Sequence, residues 1–249
     1  MLAVQSRKLI KEAEQMSTFL LVHGAWHGGW CYKRVAEQLR ALGHRVYTPT
    51  CTGLGERSHL FHRDLDLESH ILDIMNVIKW EELDDFVLVG HSWGGMVITG
   101  VADRVPEKIR RLVYLDAFVP ENGKSEIDYL PEELVAAMQA DAAAFDNGTR
   151  PIPAEAFHVN EKDVAWVNQM CVMHPLKSMA QPIHLTGGID RLRNKRVYIY
   201  NEGFAEGPFK QFYDALVNDP AWITYKTPAG HDVMLDMPDE VVRILLEVA

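Results

Sequence analysis

Residues 86–95 read FVLVGHSWGG. The first four are apolar, three of them β-branched or aromatic, and predict a strand buried on both faces. Gly90-His91-Ser92-Trp93-Gly94 then fits G-x-S-x-G, and Met96, Val97 and Val101 continue at helical spacing. Strand, sharp turn and helix together form a nucleophile elbow, which raises a serine hydroxyl above the edge of a sheet. Glycine is needed on either side of the turn because a side chain there would meet the neighbouring strand and helix.

The pattern extends outward from this unit. Residues 19–22 (FLLV) form a second continuous apolar strand, ending in HGAWHGGW at 23–30. Val35, Leu39 and Leu42 mark a helix closed by Gly43, and residues 45–48 a strand stopped by Pro49. Leu67, Ile71, Ile74, Met75 and Ile78 mark another helix, and residues 109–115 a strand after the elbow helix. Strands at 196–200 and 222–227 and a helix at 239–248, entered through Pro238, complete the alternation. Strands alternating with helices predict an α/β fold with a mostly parallel sheet and helices on both faces. The alternation stops between Pro120 and Ile183, where prolines and short helical patterns (131–144 and 163–173) predict a helical cap. The expected organisation is an N-terminal extension over 1–16 and one domain over 17–249, with its core at 17–119 and 184–249 and the cap at 120–183.

A serine needs a base within hydrogen-bond reach to become a nucleophile. His231, in PAGHD just past the last strand, leaves the same carboxyl edge of the sheet as Ser92. A carboxylate must fix its tautomer. Asp116, after the strand that follows the elbow helix, is preferred; Glu202, after the strand at 196–200, is the alternative. Asp232 is adjacent to His231 and so poorly placed for the same imidazole. Two backbone donors are needed for the tetrahedral intermediate, and the N–H groups of Trp93 and Ala25 are expected to supply them. His23 and His27 lack further ligands at metal-binding spacing, so loop hydrogen bonds are expected of them and no metal.

The chain has 249 residues, 47% hydrophobic and 24% charged, with a formal net charge of −10. That balance fits a soluble globular protein and disfavours nucleic acid and anionic membrane surfaces as partners. No apolar run approaches a membrane span, and residues 1–16 lack a signal-peptide core. Three cysteines with no C-x-x-C pair suit a reducing, cytoplasmic setting.

Residues 19–30, GHSWGG at 90–95 and Gly230-His231 resemble the α/β-hydrolase superfamily, in particular the branch of plant methylesterases and hydroxynitrile lyases. TGLGERSHL (52–60) and LDAFVP (115–120) are similar to bacterial esterases of that branch, among them enzymes that hydrolyse the carbamate ester of carbendazim. The resemblance covers 17–249 and is weakest in the insertion. It implies a cofactor-free serine hydrolase with Ser92 as nucleophile, His231 as base and Ala25 and Trp93 as oxyanion donors. Two departures stand out. Family members usually carry the acid in the loop after the strand at 197–200, where this chain has Phe204 at the aligned position; this favours Asp116. Lyases carry a lysine after the catalytic histidine, and this chain has Asp232. Trp26, Trp93, Phe118, Trp166, Met170 and Phe204 are candidates to line an apolar pocket. The expected activity is cleavage of carboxylic or carbamate esters of small, largely apolar or aromatic molecules through an acyl-enzyme. Amide or lactone hydrolysis on the same groups, or a non-catalytic ligand receptor on this fold, are the alternatives, and a homodimer is left open.

Overall fold

A computed structural model describes residues 16–249; the expectation for residues 1–15 lies outside them. Strands β1 (Thr18–Val22) and β3 (Phe86–Ser92) are buried along their whole length, as runs without polar alternation require. They pair in parallel within a six-stranded sheet with β2 (Arg45–Tyr47), β4 (Ile109–Ala117), β7 (Arg196–Asn201) and β8 (Trp222–Thr227). The order is β2-β1-β3-β4-β7-β8 and every neighbouring pair is parallel. β2 and β8 form the edges, and only there do exposed residues interrupt the strand.

Helix α1 (Lys33–Ala41) packs against the closing helix α9 (Pro238–Val248), and α2 (Leu67–Trp80) against α3 (Gly94–Arg104). Helices therefore cover both faces, as expected. α1 ends one residue before Leu42, which turns outward and is 59% exposed rather than completing the buried face. α7 (Lys210–Leu216), which follows β7, carries too short a periodic run to be read from sequence.

Between β4 and β7 lie α4 (Glu132–Ala144), β5 (Gly148–Thr149), α5 (Glu161–Met170), β6 (His174–Pro175) and α6 (Leu176–Ala180). β5 and β6 pair only with each other, antiparallel. The two ends of this segment bond to one another: Gly123 N–H donates to Ile183 O and Ile183 N–H to Lys124 O, both at 2.8 Å. α5 stops at Met170, three residues short of the expected end, because Cys171 turns extended and Val172 N–H donates to Trp26 O at 3.0 Å.

The elbow is tightly enclosed. A Cβ on Gly94 would lie 2.6 Å from His23 O, and one on Gly95 would lie 2.1 Å from Phe118 O. The latter approach lets α3 start directly against the strand end of β4. Backbone cannot yield as a flexible side chain can, so Gly95→Ala is expected to cost at least about 3 kcal/mol, at the upper end of overpacking effects. Urea denaturation of the variant checks this; a loss under about 1 kcal/mol would show that the elbow has slack.

Candidate active site

Ser92 closes β3 at φ +54°, a left-handed conformation that a side-chain-bearing residue adopts only when its surroundings impose it. The β1 loop lies directly beside it: a Cβ on Gly24 would fall 3.0 Å from Ser92 Cβ. The Gly24–Ala25 peptide is held by His23, whose Nδ1 lies 2.8 Å from Gly24 O. His23 Nε2 accepts the Cys51 N–H at 3.0 Å. Nδ1 is therefore the protonated nitrogen, and burial pushes this imidazole down to about 3, keeping it neutral.

β4 runs two residues beyond the expected end, through Ala117. Its pairing with β3 passes from His91–Leu115 to Ser92–Ala117 and skips Asp116, which bulges out at φ +44°. A bulge re-aims the side chain of the extra residue. The Asp116 carboxylate accepts the Asn201 N–H at 3.1 Å through Oδ1 and lies 2.7 Å from His231 Nδ1 through Oδ2. Glu202 is elsewhere: it is exposed and pairs with Lys226 Nζ at 2.6 Å.

His231 follows β8 in the loop before α8 (Val233–Asp236). Its N–H donates to Phe157 O at 2.9 Å. Its carbonyl accepts Asn201 Nδ2–H at 3.1 Å and His91 Nε2–H at 3.0 Å. The ring is stacked on Phe209, 4.7 Å between centroids at 10°, with Phe204 at 5.0 Å and Phe157 at 5.2 Å. Such enclosure disfavours charge, and burial pushes His231 down to about 4. Burial likewise pushes the Asp116 carboxyl up, against the Asn201 N–H that favours its anion. At neutral pH the imidazole is uncharged, gives Nδ1–H to Asp116 and keeps Nε2 as a free base.

Of the other residues predicted from sequence, Trp93 is fully buried between His174 and His70, with centroids at 4.6 and 5.0 Å. Trp26, at φ +61°, joins the β1 loop to the 120–183 segment. Its N–H donates to His174 Nδ1 and its Nε1–H to Thr149, each at 3.2 Å. Phe118 packs on Phe209 at 5.0 Å, one ring removed from His231. Trp166 lies against Trp30 at 5.0 Å, a layer behind His27, and Met170 is half-buried at the end of α5. Phe204 alone of the proposed pocket residues flanks the His231 ring.

Phe157, Phe209, Asn201 and His91 were not foreseen. Each reaches His231 from a separate part of the chain, and only His91, inside the elbow motif, carried a positional signal. Nor was the use of Asp232, whose carboxylate is fully buried 3.0 Å from His27 Nε2. His27 Nδ1 lies 2.7 Å from Ala25 O.

A polypeptide with these parts, a serine on an elbow and a buried histidine–aspartate pair at the carboxyl edge of a parallel sheet, is built as a hydrolase. The chain belongs to the α/β hydrolase family, whose sequence pattern matches residues 19–244. It is 50% identical over 239 residues to a carbendazim hydrolyzing esterase of Nocardioides sp. (strain SG-4G), covering 92% of this chain and 98% of that protein. It is 26% identical over 259 residues to methylesterase 10 of Arabidopsis thaliana, covering 96% and 94%. Among solved structures, an extracellular α/β-hydrolase from a Paenibacillus species superposes with a TM-score of 0.81 at 25% identity, over 94% of this chain and 99% of that one. No helix among the described residues is long and apolar enough to cross a membrane.

Six of the eleven histidines are buried: His23, His27, His70, His91, His174 and His231. Burial works to lower all of them, and the net shift is downward for each except His27. A histidine whose folded pKa is depressed makes the unfolded chain the better proton acceptor, so stability falls as pH drops below the unfolded value of about 6.5. Each contributes up to about 1.4 kcal/mol per pH unit until its folded pKa is reached. His27 is raised by Asp232 and Cys171 against the effect of its burial, so its contribution is complete below about pH 6.5 and is lost only above neutrality. Five sites then act together on the acid side. The melting temperature is expected to fall steeply between pH 6.5 and 5; an unchanged value down to pH 5 would contradict neutral burial of these rings.

Proposed function

We propose that this chain is a serine esterase that cleaves carboxylic or carbamate esters of small, largely apolar or aromatic molecules through an acyl-enzyme. The observation that carries the reading is the 2.7 Å contact of His231 Nδ1 with Asp116 at the sheet edge where the Ser92 elbow ends. The 50% identity of the chain to an esterase named for hydrolysing carbendazim directs the substrate class toward carbamate esters.

In this reading Ser92 Oγ attacks the ester carbonyl while His231 Nε2 takes the hydroxyl proton. The oxyanion is held by the Ala25 and Trp93 N–H groups. His231 then returns the proton to the leaving alcohol, and water, deprotonated by the same nitrogen, hydrolyses the acyl-enzyme. An imidazole held down to about 4 by burial is a weak base at rest. The cation it forms has Asp116 as its hydrogen-bonded counterion, so the reaction depends strongly on that carboxylate. Phe157, Phe204 and Phe209 around the ring favour flat apolar groups next to the reacting carbonyl.

Ser92→Ala is expected to abolish turnover of aryl carbamate and methyl esters with an unchanged melting temperature; residual activity within tenfold of the parent would overturn the mechanism. Asp116→Asn is expected to lose on the order of 10²–10⁴ in kcat, as loss of a triad carboxylate does elsewhere. Glu202→Gln, an exposed carboxylate, is expected to lose less than about tenfold. Steady-state kinetics on both decide between the two acids, and a reversal of their severity would return the role to Glu202.

A further inference from the structure

His27 and Asp232 form a second buried histidine–aspartate pair for which the reaction has no chemical use. His27 Nδ1 lies 2.7 Å from Ala25 O and Nε2 lies 3.0 Å from Asp232 Oδ2. A carbonyl and a carboxylate only accept, so this ring donates from both nitrogens and is an imidazolium. Trp30 stacks on it at 5.1 Å and 21°, and Cys171 Sγ sits 3.9 and 4.0 Å from its two nitrogens. Asp232 is fully buried, follows His231 in the chain, and has its other oxygen 3.7 Å from His91 Nε2.

We propose that the His27–Asp232 ion pair is a strap that sets the Ala25 N–H against the His231 loop, and that both are positioning residues for the oxyanion site. The proposal rests on the serine-esterase reading above. The Ala25 carbonyl is fixed by His27, and the Gly24–Ala25 peptide that carries the Ala25 N–H is fixed by His23. Of these two clamps only His27 reaches the base, through Asp232, across 205 residues of sequence. At the other end the His231 backbone is held by Phe157 O, Asn201 and His91. Stability alone does not account for the pair, because replacing a buried ion pair by apolar residues of similar size is often neutral or stabilising. What an apolar pair cannot supply is a directed N–H on Ala25 O.

The test uses that difference. The double variant His27→Phe/Asp232→Leu leaves no orphaned charge and is expected to melt within a few degrees of the parent. Its kcat per site, counted by fluorophosphonate titration, is expected to fall by about 10²-fold, the scale of losing one oxyanion donor. KM is expected to stay within about threefold. Affinity for an aryl trifluoromethyl ketone, which forms a tetrahedral adduct, should fall by the same factor as kcat/KM. Asp232→Asn should retain at least about tenfold more activity than Asp232→Leu. An asparagine N–H can meet His27 Nε2 while Nδ1–H stays on Ala25 O, whereas leucine offers neither donor nor acceptor. A stable double variant with kcat within threefold of the parent overturns the strap, as does a loss confined to KM or an Asp232→Asn no better than Asp232→Leu. Any of these would leave the parent's Ser92-dependent turnover intact, so failure here is distinct from failure of the esterase reading. If the double variant does not fold, the ratio of Asp232→Asn to parent in kcat and in ketone affinity, expected to fall together, decides the matter.

Discussion

Asp116 and His231 meet at 2.7 Å in an interior that leaves each of them almost no solvent. A carboxylate that is fully buried must be paid for by partners, and Asp116 has two: the Asn201 N–H and the imidazole. Three features of the fold exist around that requirement. The bulge in β4 turns Asp116 out of the ladder, toward β7 and the loop after β8. Asn201, at the end of β7, serves both members, giving its N–H to Asp116 and its side-chain amide to the His231 carbonyl. The aromatic rings of Phe157, Phe204 and Phe209 exclude water from the imidazole, drawing one ring from the inserted segment and two from the stretch after β7.

The same low-polarity surroundings sort the remaining histidines. His23 and His174 each pair one accepting and one donating nitrogen with complementary groups and stay neutral. His27 faces two acceptors and is the cation among the six, with Asp232 as its counterion. The His27–Asp232 ion pair therefore stands beside the path of proton transfer, while Asp116 holds its charge with hydrogen bonds alone until His231 is protonated. The inserted segment is tied into this network through the backbone of Trp26, which bonds to His174 and Val172, and through Phe157 beside the His231 ring.

Much of this was legible in the sequence. The strands at 19–22 and 86–89 are unbroken apolar runs because both of their faces are covered, and G-x-S-x-G fixes the turn between β3 and α3. His231 could be found because it follows the last strand. Asp116 could be preferred over Glu202 because the usual acid loop holds phenylalanine at the aligned position, but nothing local predicts a bulge; it appears only when β4 is laid against β3. Phe157, Phe209 and Asn201 were invisible for the same reason: their roles are long-range contacts, and a single phenylalanine in a loop looks like any other. In sequence Asp232 stands out as an acid too close to His231 to serve the same imidazole and as the absence of a lysine, and neither points to His27. That partner lies at the opposite end of the chain, and no spacing rule joins them. Trp166 packs on Trp30, a layer behind His27, a contact that its aromatic character alone does not reveal.

The most direct measurement of the central claim, that Asp116 and His231 activate Ser92, is covalent capture. The protein is treated with an alkyl fluorophosphonate, which exchanges its fluoride for the oxygen of an activated serine with release of HF, and the adduct is mapped by peptide mass spectrometry. The account predicts a single equivalent of label on the peptide containing Ser92, acquired at a rate that tracks esterase activity. Label on another residue, or an unlabelled protein that still turns over ester, would contradict it.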